Sequence, residues 1–320
     1  MKIHSVIKAA VVLLFMVALS IPGMAKAEYP DGPINMVIAF TAGGSSDVQA
    51  RIIQKYWNKY SDQRLVFVYK PGAGGAIGFS EIAHSKPDGY TIGGLNVPHI
   101  ILQPLVQKAP FGVEDFDYIC QVINDPQVVA VRKDSPFKSI KDLFAYAQAN
   151  PKKLLVGLVG PNSGHHLMFL DVKDKYDFPV SEVFYKGAAD QNAALLGGEV
   201  GVMFGNLNDV MRSQDEMRIL AIASEKRNDF MPDVPTMREQ GYDVVSYIRR
   251  GFAAPKGLPQ DKLDYLTKIF KDICTDPGYV ADLKTAGQPG EYASGAEFKE
   301  YVLSQFAKDK AALEKAGLLK

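Results

Sequence analysis

Three things are scarce in this sequence. The first is charge of one sign: 36 lysines and arginines balance 36 aspartates and glutamates in 320 residues. Without an excess of positive charge there is no electrostatic case for a nucleic-acid partner. The second is cysteine, with only Cys120 and Cys274. Two thiols cannot frame a disulfide-knit miniprotein. Both fall in apolar strand-like or helix-like runs and read as buried free thiols. The third is long apolar runs, since nothing after residue 27 approaches the ~20 residues of a membrane helix. What is present is ordinary: 47% hydrophobic and 22% charged residues. That composition excludes a disordered or collagen-like chain, and the length suits one large domain or two of ordinary size.

One short apolar run stands at the N-terminus. Ala9 to Ile21 follows Lys2 and Lys8 and precedes Pro22-Gly23 and Ala25-Lys26-Ala27. A basic start, a short apolar stretch and a small-x-small site read as a secretory signal peptide over residues 1–27, cleaved after Ala27. No cysteine lies near the cut to carry a lipid. Loss of Lys2, Lys8 and Lys26 would leave 33 basic residues against 36 acidic ones. The expected mature protein is soluble and periplasmic.

Beyond the leader, strand-like and helix-like segments alternate. Ile34–Phe40 is a continuous apolar run, as a buried parallel strand requires. Asp47–Tyr60 places Val48, Ile52, Ile53 and Tyr56 on one helical face. Arg64–Tyr69 and Tyr90–Asn96 read as strands, with a helix over Ala76–Ser85 between them. Val128–Arg132, Leu154–Val159, Ser181–Tyr185, Val200–Phe204 and Arg218–Ala223 are further strand candidates, with helices over Ser139–Asn150 and His165–Tyr176. This rhythm predicts an α/β fold with parallel sheets covered on both faces. From Pro259 the chain reads as helical without a strand, and Ser294 with Glu297 forms a capping box at the start of the last helix.

Two glycine-rich turns lie between a strand and a helix. The first is Phe40-Thr41-Ala42-Gly43-Gly44-Ser45-Ser46-Asp47, and the second is Pro71-Gly72-Ala73-Gly74-Gly75-Ala76-Ile77-Gly78. Such a turn leaves backbone N–H groups free at a helix start and lets a ligand approach them. With the helix dipole this makes an anion site. The second turn is close to a dinucleotide fingerprint, but the next strand ends Gly94-Leu95-Asn96 without the acid a ribose needs. No P-loop and no G-x-S-x-G elbow occurs. His165-His166 lacks the spacing of a metal site, so no metal or cofactor is expected. After the polar turn Gly160–Gly164, Ser163 and His165 suit a ligand-facing role. A hydrolase using His165 or His166 is the enzymatic alternative.

A set of motifs then spans nearly the whole mature chain. It comprises Phe40 to Asp47, Tyr69-Lys70-Pro71-Gly72-Ala73-Gly74-Gly75, Pro87-Asp88-Gly89-Tyr90-Thr91 and Asn162-Ser163-Gly164-His165. Tyr185-Lys186-Gly187-Ala188, Met203-Phe204-Gly205-Asn206 and Pro232-Asp233-Val234-Pro235-Thr236 complete it. In this order they resemble the Bug family, the periplasmic solute-binding receptors of tripartite tricarboxylate transporters. The resemblance implies a type II periplasmic-binding-protein fold, with two doubly wound lobes joined by two hinge crossings. Lobe 1 would hold residues 28–124 and 250–320, and lobe 2 residues 125–249. It implies a monomeric, non-enzymatic receptor that closes on a small carboxylate and delivers it to membrane permease subunits, or presents it to a sensor kinase. Thr41, Ala42, Gly43, Ser45, Ser46, Ala73, Gly74, Gly75 and Asn96 would line one side. Asn162, Ser163, His165, Lys186, Gly187, Ala188 and Asn206 would line the other. Asp47 is either a ligand contact or an acid in the first turn of a helix. Arg250 either pairs with a distal carboxylate or faces solvent at the hinge. Gly201 and Gly205 replace acids common in relatives, which disfavours an amine-bearing ligand if either faces the cleft.

Overall fold

The computed structural model describes residues 29–315 and 319. The expected signal peptide lies outside the described residues. Residues 29–31 belong to a separate unit, Met1–Asp31, and every named strand and helix lies in the unit Gly32–Lys320.

The first elements are β1 (Ile34–Ile38), α1 (Ser45–Trp57), β2 (Leu65–Tyr69), α2 (Ala76–Ala83), β3 (Thr91–Val97), α3 (His99–Gln107) and β4 (Phe116–Arg132). Next come α4 (Ile140–Ala149), β5 (Leu155–Val159), α5 (Gly164–Tyr176), β6 (Ser181–Tyr185), α6 (Ala188–Leu196), β7 (Val202–Asn206), α7 (Leu207–Met211) and β8 (Met217–Ile222). The chain continues with β9 (Tyr247–Pro255), α8 (Gln260–Cys274), α9 (Pro277–Thr285), β10 (Gly290–Ser294) and α10 (Gly295–Lys315).

β1 runs parallel to β2 and β3, and β5 runs parallel to β6 and β7. The strands order as β2-β1-β3-β9-β4 and then β4-β7-β5-β6, with β10 and β8 also on β4. β4 lies antiparallel to β9 from Phe116 to Pro126. It then runs past the start of β9, and Gln127–Arg132 pairs with β7 and β8. β4 therefore serves both halves of a type II periplasmic-binding-protein fold.

Buried side chains cluster in both halves, and the first cluster reaches across to Val159 and Ala188. Val37, Phe79, Leu95, Ile101 and Phe116 pack together with Phe298 of α10, which ties the C-terminal tail to the first half. Leu143, Val156, Phe169, Phe178 and Leu220 pack in the second. Each such side chain stabilises by about 1.5–3 kcal/mol on burial. Gly78, the last glycine of the near-fingerprint, serves this packing: a methyl there would stand 2.6 Å from Ala39 Cα. α2 thus lies close on β1, and the glycine spacing is explained without a dinucleotide.

Two expectations need correction. The tail is not strand-free, because β10 pairs antiparallel with β4. Its five residues, GEYAS, carry too little apolar alternation to stand out. β4 is one strand of 17 residues, joining the strand-like run around Cys120 to Val128–Arg132. Asn124-Asp125-Pro126 interrupts its apolar run, and pairing with β9 carries the strand through them. Ser294 and Glu297 do form their capping box, Ser294 N–H donating to Glu297 Oε2 at 2.8 Å. Cys120 and Cys274 are buried free thiols.

Candidate functional site

The chain leaves β1 through Phe40–Gly44 and enters α1. Gly43 sits at φ +86, a left-handed conformation that glycine adopts without strain. Gly44 is the N-cap and no side chain caps the helix. The amides of Ser45 and Ser46 therefore lack intrahelical partners. Asp47 is already satisfied: its Oδ2 accepts from Gly43 N–H at 2.7 Å and Arg51 Nε at 2.9 Å, and its Oδ1 accepts from Tyr69 OH at 2.6 Å. Burial raises the Asp47 carboxyl, but the bonds from Tyr69, Gly43 and Arg51 outweigh it and hold the group below the usual carboxylate range. Asp47 and the Gly43 amide are committed within the fold.

The turn from β6 to α6 faces this one. Gly187 caps α6 with extended backbone and no side-chain bond. A methyl on Gly44 would stand 3.5 Å from Ala188 Cβ, so the starts of α1 and α6 meet. Both present the positive end of a helix dipole, which favours an anion between them.

Arg250 comes from β9, opposite Asn96 of β3. It is 1% exposed. Its Nη1 donates to Asp125 Oδ2 at 2.9 Å, while Nε and Nη2 have no partner. A buried guanidinium with two idle N–H groups is costly unless an acceptor arrives. Burial pushes the Asp125 carboxyl up, Arg250 opposes this, Asp209 adds to it, and the result is about 7.

The remaining wall is polar. His165 Nε2 lies 2.9 Å from Asn206 Oδ1, and Asn206 Nδ2 donates to Asp209 Oδ2 at 2.9 Å. Arg212 Nη2 donates to Asp209 Oδ1 at 2.6 Å, and its Nη1 reaches back to Gly43 O at 2.8 Å. Ser45 Oγ donates to Asn208 Oδ1. Burial, with His165 and Arg250 nearby, drives the His99 imidazole far below its ordinary pKa.

These elements enclose a cavity of about 20 Å³, room for about one water molecule. Of the residues expected from sequence, Ser45, Ser46, Asn96, His165, Ala188, Asn206 and Arg250 line it. Phe40, Gly44, His99, Val159, Asp209 and Ile248 line it as well and were not singled out. Asp209 could have been found from its spacing three residues after Asn206, the N-cap of the short helix α7. His99 and Ile248 carry no local signal.

The second glycine turn lies elsewhere. Gln103 Nε2 donates to Gly74 O at 3.2 Å and to Pro161 O and Asn162 O at 3.1 Å each. A methyl on Gly160 would stand 2.7 Å from Gly74 N. Ala73, Gly74 and Gly75 thus receive the β5–α5 turn of the other half. A methyl on Gly187 would likewise stand 2.9 Å from Thr41 N, so Thr41 and Gly187 close the rim of the cleft. Ala42, Gly43 and Lys186 are exposed, and Ser163 caps α5 by accepting from His166 N–H at 3.2 Å. Asn162 takes φ 50 in the turn before it. Gly201 and Gly205 face Leu154 and Met203 and not the cavity, so the missing acids bear on packing. His166 turns from His165: its Nδ1 accepts from Asn162 N–H at 3.0 Å and its Nε2 lies 3.4 Å from Glu182. Among the described residues no three His, Cys, Asp or Glu side chains are grouped to hold a metal ion.

Two α/β halves that share β4 and line a polar cavity are the architecture of a binding-protein class. The model of the tripartite tricarboxylate transporter family receptor, TctC, matches residues 49–318. A UPF0065 protein from Cupriavidus necator is 32% identical over 304 residues, covering 94% of this chain and 93% of that one. The periplasmic binding protein BugD superposes with TM-score 0.86 at 29% identity, over 91% of this chain and all of its own. An R. palustris protein solved with adipate superposes with TM-score 0.84 at 25% identity, over 91% of this chain and 99% of its own. The chain belongs to the TctC family of Bug-type tripartite tricarboxylate transporter receptors.

Proposed function

We propose that this protein is a monomeric periplasmic receptor that closes on a small carboxylate and hands it to membrane permease subunits. The moving bodies are residues 32–124 with 250–315, and residues 125–249. One observation carries the reading: a buried arginine offers two unpartnered N–H groups to a cavity that also holds the uncapped start of α1. The adipate bound in the R. palustris neighbour supports it. A dicarboxylate matches the donors, one carboxylate on the Ser45 and Ser46 amides and the other in the fork of Arg250.

Charge-assisted bonds contribute about 1.5–3 kcal/mol each, so four gross about 6–12 kcal/mol before association costs. Micromolar binding requires about 8 kcal/mol. The cavity as it stands holds about one water, so the halves must part to admit a ligand and settle around it. Closure follows the ligand's differential affinity for the closed form. A thermal-shift screen of mono-, di- and tricarboxylates, followed by calorimetry on Arg250→Gln, tests the reading. Expected is a stabilising carboxylate whose affinity falls at least tenfold in the variant. No shift with any carboxylate overturns it.

A further inference from the structure

The polar wall has a direction that fixes a proton. Asp209 is held by Arg212 at 2.6 Å, and a carboxylate so held only accepts. Asn206 must therefore turn its NH2 toward Asp209 and its oxygen toward His165. That oxygen also only accepts, so His165 Nε2 carries the proton and Nδ1 carries the lone pair. Burial lowers the His165 pKa and Arg250 adds to this, against Asn206 and Asp209, so the ring stays neutral near pH 7. His165 is 2% exposed, lines the cavity, and its Nδ1 has no partner. His165 Nδ1 is thus an acceptor of fixed tautomer, with the unpartnered His99 Nδ1 on the same wall, facing the Arg250 fork and the α1 amides as donors.

We propose that the ligand is a hydroxycarboxylate whose hydroxyl donates to His165 Nδ1 while its carboxylates take the Arg250 and α1 donors. This rests on the proposed carboxylate function. A ligand ammonium could donate to Nδ1 too, but it would stand near the Arg250 guanidinium. Of the nearby acids, Asp209 is paired with Arg212 and Asn206, and Asp125, whose Oδ1 is unpartnered, does not line the cavity. A neutral hydroxyl avoids that repulsion. A plain dicarboxylate leaves Nδ1 buried and unpaired, a loss a site of this kind uses to discriminate.

Calorimetry with matched pairs tests this: malate with succinate, citrate with tricarballylate, and aspartate as the amine analogue of malate. The wild-type protein should bind the hydroxylated member of at least one pair about tenfold more tightly. His165→Phe removes the acceptor and should bring that ratio to about one, whatever it does to the absolute affinity of either ligand. His165→Gln, whose amide oxygen can accept, should recover part of the ratio and serves if the Phe variant fails to fold. Equal wild-type affinities within each pair, a ratio that survives His165→Phe, or aspartate bound more tightly than malate overturns the proposal alone. Binding of no carboxylate at all overturns it together with the function it rests on.

Discussion

The closure mechanism makes a sharp prediction at Gly187. Its backbone is extended, φ −169 and ψ 172, which any residue adopts. Alanine there costs the isolated β6–α6 turn nothing. A methyl would nevertheless stand 2.9 Å from Thr41 N and closer still to Thr41 Oγ1, across the cleft. Ordinary carbon contacts lie near 3.5–4.0 Å, so the rim must open by ~1 Å or distort. Overpacking of this kind costs about 1–3 kcal/mol. That is roughly a five- to 150-fold loss in the closing equilibrium. Apparent affinity falls with the fraction of closing-competent molecules. The assay is calorimetric titration of Gly187→Ala with the best carboxylate of the screen, beside a thermal melt without ligand. Affinity should drop by at least fivefold while the melting temperature holds. Thr41→Ala in the same chain removes the hydroxyl and should restore part of the loss. Unchanged affinity in Gly187→Ala would refute the idea that binding closes this rim.

Other expectations concern the latch and the buried acid. Gln103→Leu keeps the volume of α3 but removes the donor to Gly74 O, Pro161 O and Asn162 O; ligand affinity should fall about fivefold or more, and calorimetry showing no change would remove the latch. Asp125 titrates near 4 when unfolded and at about 7 when folded. The folded state therefore binds the extra proton between these values, and Asp125 lowers stability as pH rises from about 4 to about 7, by up to about 1.4 kcal/mol per pH unit. Asp125→Asn mimics the protonated acid, so melts across this window should lack that decline. Parallel wild-type and variant profiles would place the carboxyl elsewhere on the scale.

Much of this was legible from residues alone, and the failures share a cause. The free amides of Ser45 and Ser46 follow from a glycine turn before an uncapped helix, a local pattern. The same pattern at Gly72–Gly75 leads to a seat for the Gly160 turn. A backbone that glycine leaves bare accepts a neighbouring chain as readily as an anion, and only tertiary structure decides between them. Arg250 and Asp125 are 125 residues apart, and β4–β9 pairing alone brings them together. That pairing settles the hinge question for Arg250 in favour of burial. His99 follows Pro98 in an apolar run and looks like core. It borders the cavity because β3 delivers α3 to the cleft.

The measurement that bears most directly on the central claim is a crystal structure with the tightest-binding carboxylate of the screen. The account requires ligand oxygens within hydrogen-bond distance of the Ser45 or Ser46 amide and of Arg250 Nε or Nη2. A ligand seated on the Ala73–Gly75 turn, with Arg250 bonded to Asp125 alone, would contradict it.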